Sequence, residues 1–197
     1  TLKRTHAPGT YNLYNSMDAQ VLGLVLDHAT GVTPSEYLSQ KIWSKIGAEQ
    51  DAYWVLDDFG NELAAGGVNV TARDYAKFGL LYLHDGKWNG EQLVPAAWVK
   101  ASHTPDAAYL MPGLNDHKSE TSGTMGYGYL WWIPSEVGGA YSAIGIYNQF
   151  IYVDPARDLV IVKTSANHAY GGDATEASYR EMETFAFFDA VTAVLPK

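Results

Sequence analysis

The sequence contains no cysteine. That excludes disulfides, thiolate zinc sites, iron–sulfur ligation and a cysteine nucleophile. A long apolar run is also missing: none approaches the roughly 18 residues of a membrane span. Positive charge is scarce, with 13 Lys and Arg against 22 Asp and Glu and a formal net charge of −9. A chain this acidic offers no basic face to phosphate backbones, which argues against nucleic acid. The six histidines include no His-x-x-x-His, so surface or hydrogen-bonded roles are expected of them and no metal. Gly-x-Ser-x-Gly is absent, which removes the nucleophile elbow of one large hydrolase class. Gly171-Gly172-Asp173 lacks the Lys and the strand–helix context of a phosphate loop. No charged-then-apolar leader is visible, and localisation is not legible. The start at Thr1, without Met, predicts a fragment or one chain of a nicked protein.

What is present is globular: 197 residues, 47% hydrophobic and 18% charged. A chain of this mass should expose about 9,200 Å² folded against about 31,000 Å² unfolded, enough for one substantial core or a large piece of a larger domain. Val21, Leu22, Leu24, Val25 and Ala29 recur on a helical period over 17–29, and Gly31 stops them. Thr33-Pro34-Ser35-Glu36 opens a second helix that runs through Trp43 to Gly47. Residues 57–67 read as loop. Thr71-Ala72-Arg73-Asp74 begins a third helix, Lys87-Trp88-Asn89-Gly90 a turn, and Pro95 a short helix through Trp98. A long loop is expected over 102–125. Strands are predicted over 126–133, 140–144, 149–153 and 159–164, with a hairpin turn at 154–158. A closing helix is predicted over 175–194. Helices, then antiparallel strands, then one helix make an α+β architecture.

Two stretches could carry chemistry. Pro8-Gly9-Thr10-Tyr11-Asn12-Leu13-Tyr14-Asn15-Ser16 leads straight into a helix and can place a Tyr hydroxyl at its entrance. From the residues alone, Tyr14 packs its ring and bonds its hydroxyl. Ala143-Ile144-Gly145-Ile146-Tyr147-Asn148-Gln149-Phe150 sets a Gly and two amides between apolar runs. Such a Gly marks a bulge or the close approach of a backbone or ligand; a plain edge-strand bulge is the simpler reading. Trp131 and Trp132 read as half core and half cleft wall, Glu181 and Glu183 as a solvated helix face.

These stretches, taken in order, resemble the β-lactamase-related serine hydrolases: class C β-lactamases, penicillin-binding DD-peptidases, related carboxylesterases and 6-aminohexanoate-dimer hydrolases. Pro8-Gly9-Thr10 with Tyr14-Asn15-Ser16 is similar to the family's Pro-Gly-Thr and Tyr-x-Asn/Ser element. Ala65-Gly66-Gly67-Val68 with Thr71 to Phe78 is similar to its Gly-Gly turn and following helix. Gly126-Tyr127-Gly128-Tyr129-Leu130-Trp131-Trp132 is a third match. The fourth, Ala143-Ile144-Gly145 with Gln149 and Asp154-Pro155, sits where β-lactamases carry Lys-Thr-Gly. The resemblance implies a β-lactamase/transpeptidase-like antiparallel sheet flanked by helices. It makes residues 1–197 the C-terminal portion of a single domain: a helical part about 17–101, a loop about 102–125, then strands and closing helix about 126–195.

The departures shape the functional expectation. No Ser or Thr here has Lys three residues later, so the family's Ser-x-x-Lys nucleophile helix and the first strands of its sheet are expected on a separate or missing N-terminal segment or chain. Ala143-Ile144-Gly145 has no cation for a β-lactam carboxylate, which disfavours β-lactamase activity and favours a carboxylesterase or amidase acting on a small molecule without a cofactor. The resemblance then casts Tyr14 as proton carrier and the Ile146 backbone N–H as one oxyanion donor. Ser16, Gly145, Tyr147, Asn148, Trp131 and Trp132 would line the substrate. A phenolate at neutral pH needs about 4 kcal/mol of help, which the absent Lys would supply in part, so the chain alone is expected to be inactive. The 20 Tyr and Trp residues fit a cleft lined by amphipathic aromatics. The other possibilities are a non-catalytic ligand-binding module of the same fold, with Trp131, Trp132 and Tyr147 gripping a ligand, and an unrelated α+β domain.

Overall fold

The computed structural model describes residues 3–113, 124–135, 138–173 and 175–195. The chain divides into two compact units, Asn15–Ala96 and Thr1–Tyr14 with Ala97–Lys197.

The first of these is mostly helical. Helix α1 (Ser16–Thr30) is opened by Asn15, whose side chain accepts from the Met17 N–H. It is closed by Gly31 at φ 72°, whose N–H returns to the Asp27 carbonyl. Only glycine adopts that left-handed cap without steric cost. Helix α2 (Pro34–Leu38) carries the reciprocal Thr33–Glu36 capping box, then continues as one π-turn over Ser39–Trp43. The strand pair β1 (Tyr53–Trp54) and β2 (Val68–Asn69) precedes helix α3 (Ala72–Leu83). Thr71 caps α3 by accepting from the Asp74 N–H, and Asp74 itself is fully buried. Its carboxylate accepts from the N–H groups of Glu49 (2.8 Å) and Gln50 (3.3 Å) and from the Thr71 hydroxyl (2.8 Å), with Lys77 at 3.3 Å. Burial opposes the charge, but these donors prevail and hold the carboxyl below its ordinary range. Strands β3 (Lys87–Trp88) and β4 (Glu91–Gln92) form a hairpin around Asn89-Gly90, both with positive φ, as an Asn-Gly turn requires.

The second unit is built on a five-stranded antiparallel sheet in the order β5 (Gly126–Tyr127), β6 (Trp132–Ile133), β7 (Tyr141–Gly145), β8 (Gln149–Asp154), β9 (Leu159–Lys163). Helix α4 (Ala96–Ser102) leads into it. Helices α5 (Glu176–Tyr179) and α6 (Glu181–Val194) close the chain. Phe150 and Tyr152 of β8 meet Phe185 and Phe188 of α6, with Met125 and Trp132 completing the core. The Asp154 side chain accepts from the Ala156 N–H and pairs with Arg157 at 2.7 Å to set the β8–β9 turn.

Three expectations are corrected. The strand predicted over 126–133 is a tight hairpin, β5 and β6, because Leu130 turns left-handed (φ 67°) and the Gly128 N–H bonds the Trp131 carbonyl. The Ser102 carbonyl lies where a Cβ on Gly128 would stand, 2.0 Å away, so only glycine fits. The closing helix is broken at Arg180 (φ 56°) into α5 and α6. Gly145 is no edge bulge: β7 pairs with β8 without interruption from Tyr141↔Val153 to Gly145↔Gln149. The loop predicted over 102–125 holds one 3-10 turn, Ala108–Leu110, and its stretch 114–123 lies outside the described residues.

Candidate active site

The Tyr14 side of the site is an aromatic stack within the sheet-bearing unit. Gly9 (φ 72°) and the Thr10 hydroxyl, which donates to the Ala7 carbonyl at 2.7 Å, turn the chain into the extended run ending at Tyr14. The Tyr14 ring lies 5.3 Å from Trp132 and meets Tyr127 edge-on at 6.1 Å. Tyr127 in turn meets Trp132 at 4.7 Å. Trp132 belongs to the core, so the phenol stands on a fixed platform while remaining half-exposed.

Burial, and then the nearby Glu181 carboxylate, push the Tyr14 hydroxyl above its usual pKa. Burial and then Tyr14 push Tyr127 up as well. Tyr170 is pushed up to about 12 by burial, then by Glu181, Tyr179 and Tyr14. At neutral pH this cluster is a set of neutral phenols: it can donate hydrogen bonds and supply a proton, and only a cation brought beside Tyr14 makes that residue a base. Glu181 corrects the sequence reading. It is only 6% exposed, because the break at Arg180 restarts the helix and places position 181 on the inward stripe with Thr184, Phe185, Phe188 and Thr192. Glu183 does face solvent, paired with Arg180 through two bonds of 2.6 and 2.7 Å.

The second side of the site is the turn Ile146-Tyr147-Asn148 between β7 and β8. Tyr147 and Asn148 both have positive φ, which costs a non-glycine residue roughly 1–2 kcal/mol, less for Asn. Ile146 and Tyr147 are exposed, and the Tyr147 ring packs edge-on against Tyr170 at 5.8 Å. Asn148 is buried. Strand β6 reaches β7 only at Trp132↔Ser142, short of the Gly145 end. Asn148 also lines, with Asn167, Lys163 and Ser165, a cavity of about 580 Å³. Burial, and then Arg180, lower the pKa of Lys163.

The structure thus brings Tyr14, Trp132, Gly145, Ile146, Tyr147 and Asn148 into one unit, with Ser16 on the first turn of α1 in the other. Trp131 and Trp132 are both core rings, not half cleft wall. Trp131 is 4% exposed and stands edge-on to Tyr141. The Asn148 side chain is spent on neighbouring protein groups. Sequence reasoning gave no role to Tyr170, Asn167 or the buried face of Glu181. Their partners lie far along the chain, and no local signal marks them. Among the described residues no group of His, Asp or Glu could hold a metal, and no helix is long and apolar enough to cross a membrane.

Comparison with known proteins places these features in a lineage. A β-lactamase family model matches residues 1–185. A 6-aminohexanoate-dimer hydrolase from Paenarthrobacter ureafaciens is 32% identical over 166 residues, 84% of this chain and 42% of that protein. The structure of a Bacillus anthracis protein proposed to be a 6-aminohexanoate-dimer hydrolase superposes with a TM-score of 0.80 at 31% identity, covering 99% of this chain and 48% of that one. A β-lactamase from Mycobacterium bovis superposes at 0.63 with 25% identity, over 82% of this chain and 58% of that one. The chain therefore spans about half the length of the relatives it matches.

Proposed function

Because the chain belongs to the β-lactamase family, we propose that it is the C-terminal part of a serine hydrolase that cleaves a small-molecule amide or ester through an acyl-enzyme. The observation that carries this reading is the pairing of a family match along nearly the whole chain with the absence of any Ser or Thr followed three residues later by Lys. The nucleophile and its Lys then come from a complementary segment, and residues 1–197 form one portion of a single domain. Two features support incompleteness. Asn12 is buried, and its Nδ2 has no hydrogen-bond partner among the described residues, a donor that costs about 1–3 kcal/mol until an acceptor arrives. Helix α1 buries none of its 15 residues.

In this mechanism the incoming Ser Oγ attacks the carbonyl carbon. Its proton passes to Tyr14 and on to the leaving oxygen or nitrogen as that bond breaks. Water then attacks the acyl-enzyme and gives its proton to Tyr14, which passes it to the Ser Oγ as the acyl bond breaks and the acid is released. The Ile146 N–H donates to the oxyanion in both steps. The Lys ammonium of the complementary segment lowers the Tyr14 pKa against the burial and Glu181 that raise it. By itself the chain holds Tyr14 as a neutral phenol and is inactive. An amide is the preferred substrate class, since the relative from Paenarthrobacter is a 6-aminohexanoate-dimer hydrolase.

Fluorophosphonate labelling of the active preparation, read by intact mass under denaturing conditions, tests this. A label on a second polypeptide that co-purifies with the chain supports the reading. A label on this chain means that a different Ser here is activated. No label at all, with saturable ligand binding, favours a non-catalytic ligand-binding module of the same fold.

A further inference from the structure

The turn between β7 and β8 is held by amides. Tyr147 and Asn148 occupy left-handed backbone in succession, at φ 61° and 66°, which such residues leave unless something fixes them. Of its three residues only Asn148 lines the cavity of about 580 Å³, and Tyr147 packs on Tyr170. Polar bonds hold Asn148 itself. Asn148 Oδ1 accepts from Asn167 Nδ2 at 2.7 Å, and Asn148 Nδ2 donates to the Tyr179 carbonyl. Asn167 Nδ2 also donates to the Ser178 carbonyl at 2.7 Å, and the Asn167 N–H reaches the Tyr147 carbonyl at 3.5 Å. Lys163 Nζ donates to the Asn148 carbonyl at 3.3 Å. Gln149 accepts from the Ser165 N–H at 3.1 Å and donates to the Ser165 carbonyl. The turn is thereby tied to the segment 163–179.

We propose that Asn148, anchored by Asn167, is a positioning residue that holds the 146–148 turn in the conformation presenting the Ile146 N–H to the oxyanion. The inference rests on the role of Ile146 given above. Asparagine suits the task because it tolerates left-handed backbone and offers a donor and an acceptor on one short side chain. Glycine would take the backbone conformation but could not be tied, and a β-branched residue could do neither. An oxyanion donor acts through being fixed before the charge develops, so a turn released from these bonds loses rate rather than substrate affinity.

The test uses the active preparation with Asn148→Gly, which keeps the backbone conformation but removes both amide bonds, and with Asn148→Asp, which keeps the bond from Asn167. For hydrolysis of 4-nitrophenyl acetate, Asn148→Gly should lower kcat by about 10²-fold, as for a lost oxyanion donor, with KM changed by less than about threefold. Asn148→Asp should recover part of that loss. Amide hydrogen exchange should quicken at Ile146 and Tyr147 in Asn148→Gly and stay slow along β8. A kcat within about twofold of the parent, or a loss shared with quickened exchange across the whole sheet, overturns the inference. If the parent neither labels nor turns over, it is the reading of the active site that fails. Unaltered exchange at Ile146 and Tyr147 in Asn148→Gly would then overturn the clamp independently.

Discussion

At Tyr14 the proposed proton-carrying role and the local environment pull in opposite directions. Burial and Glu181 raise its pKa, whereas a base needs it lowered. Removing the carboxylate charge therefore has a definite sign. In Glu181→Gln, ultraviolet difference titration of the chain should show the Tyr14 transition moved down. It should stay above the ordinary 10.0, because burial is the larger cause. A transition that does not move would remove Glu181 as a cause of the raised value. In the complete enzyme, Tyr14→Phe should cut turnover by roughly 10² to 10⁴ if the hydroxyl carries the proton. Near-normal steady-state rates would remove it from the mechanism.

Among the elements, what the sequence made legible is what local chemistry decides. Asn15 and Gly31 bound α1, Thr33 and Glu36 cap α2, and Asn89-Gly90 turns a hairpin, because each outcome depends on residues within four positions of one another. The kink at Arg180 and the turn at Leu130 depend on distant partners: Phe150 and Tyr152 of β8, against which Phe185 and Phe188 of α6 pack, and the Ser102 carbonyl under Gly128. The candidate site divides the same way. Tyr14 and Ile146 lie in recognisable motifs, whereas Asn167 and Glu181 acquire their places only when the segment 163–181 folds back on the sheet. Asp74 is a further long-range case. Its donors arrive from Glu49 and Gln50, some 25 residues away. Asp74→Ala strands those donors and Lys77, and should cost about 3 kcal/mol in denaturant unfolding. Because the folded carboxyl lies below its ordinary 3.8, its contribution is complete above that pH. It is lost as pH falls through the lower folded value, so the parent should lose stability below pH 3.8 faster than Asp74→Ala does.

For the molecule as a whole, the decisive features are the apolar surface of α1 that the described residues leave open and the edge strand β9, half-buried but without a further partner among the described strands. On α1, Met17, Val21, Leu22, Leu24 and Val25 are each about half exposed or more. In the sheet, β9 is outermost among the described strands, although Leu159-Val160-Ile161-Val162 reads as an interior strand, apolar toward both faces. Edge strands that must stay unpaired are normally blunted by Pro, charge or a bulge; here the first charge is Lys163 at the very end. Ile161 packs toward the core, while Val160 and Val162 alternate to the other face. The purified chain should therefore self-associate at micromolar concentration in sedimentation velocity. Val162→Lys, which leaves the Ile161 contact intact, should shift it toward monomer. If β9 is where the complementary segment pairs, the same variant should also lower the yield of labelled, co-purifying complex. A monomeric parent that melts in one cooperative transition would show that these surfaces need no cover. Loss of self-association in Val162→Lys with full recovery of the complex would place the segment's docking elsewhere, the exposed apolar face of α1 being one such surface.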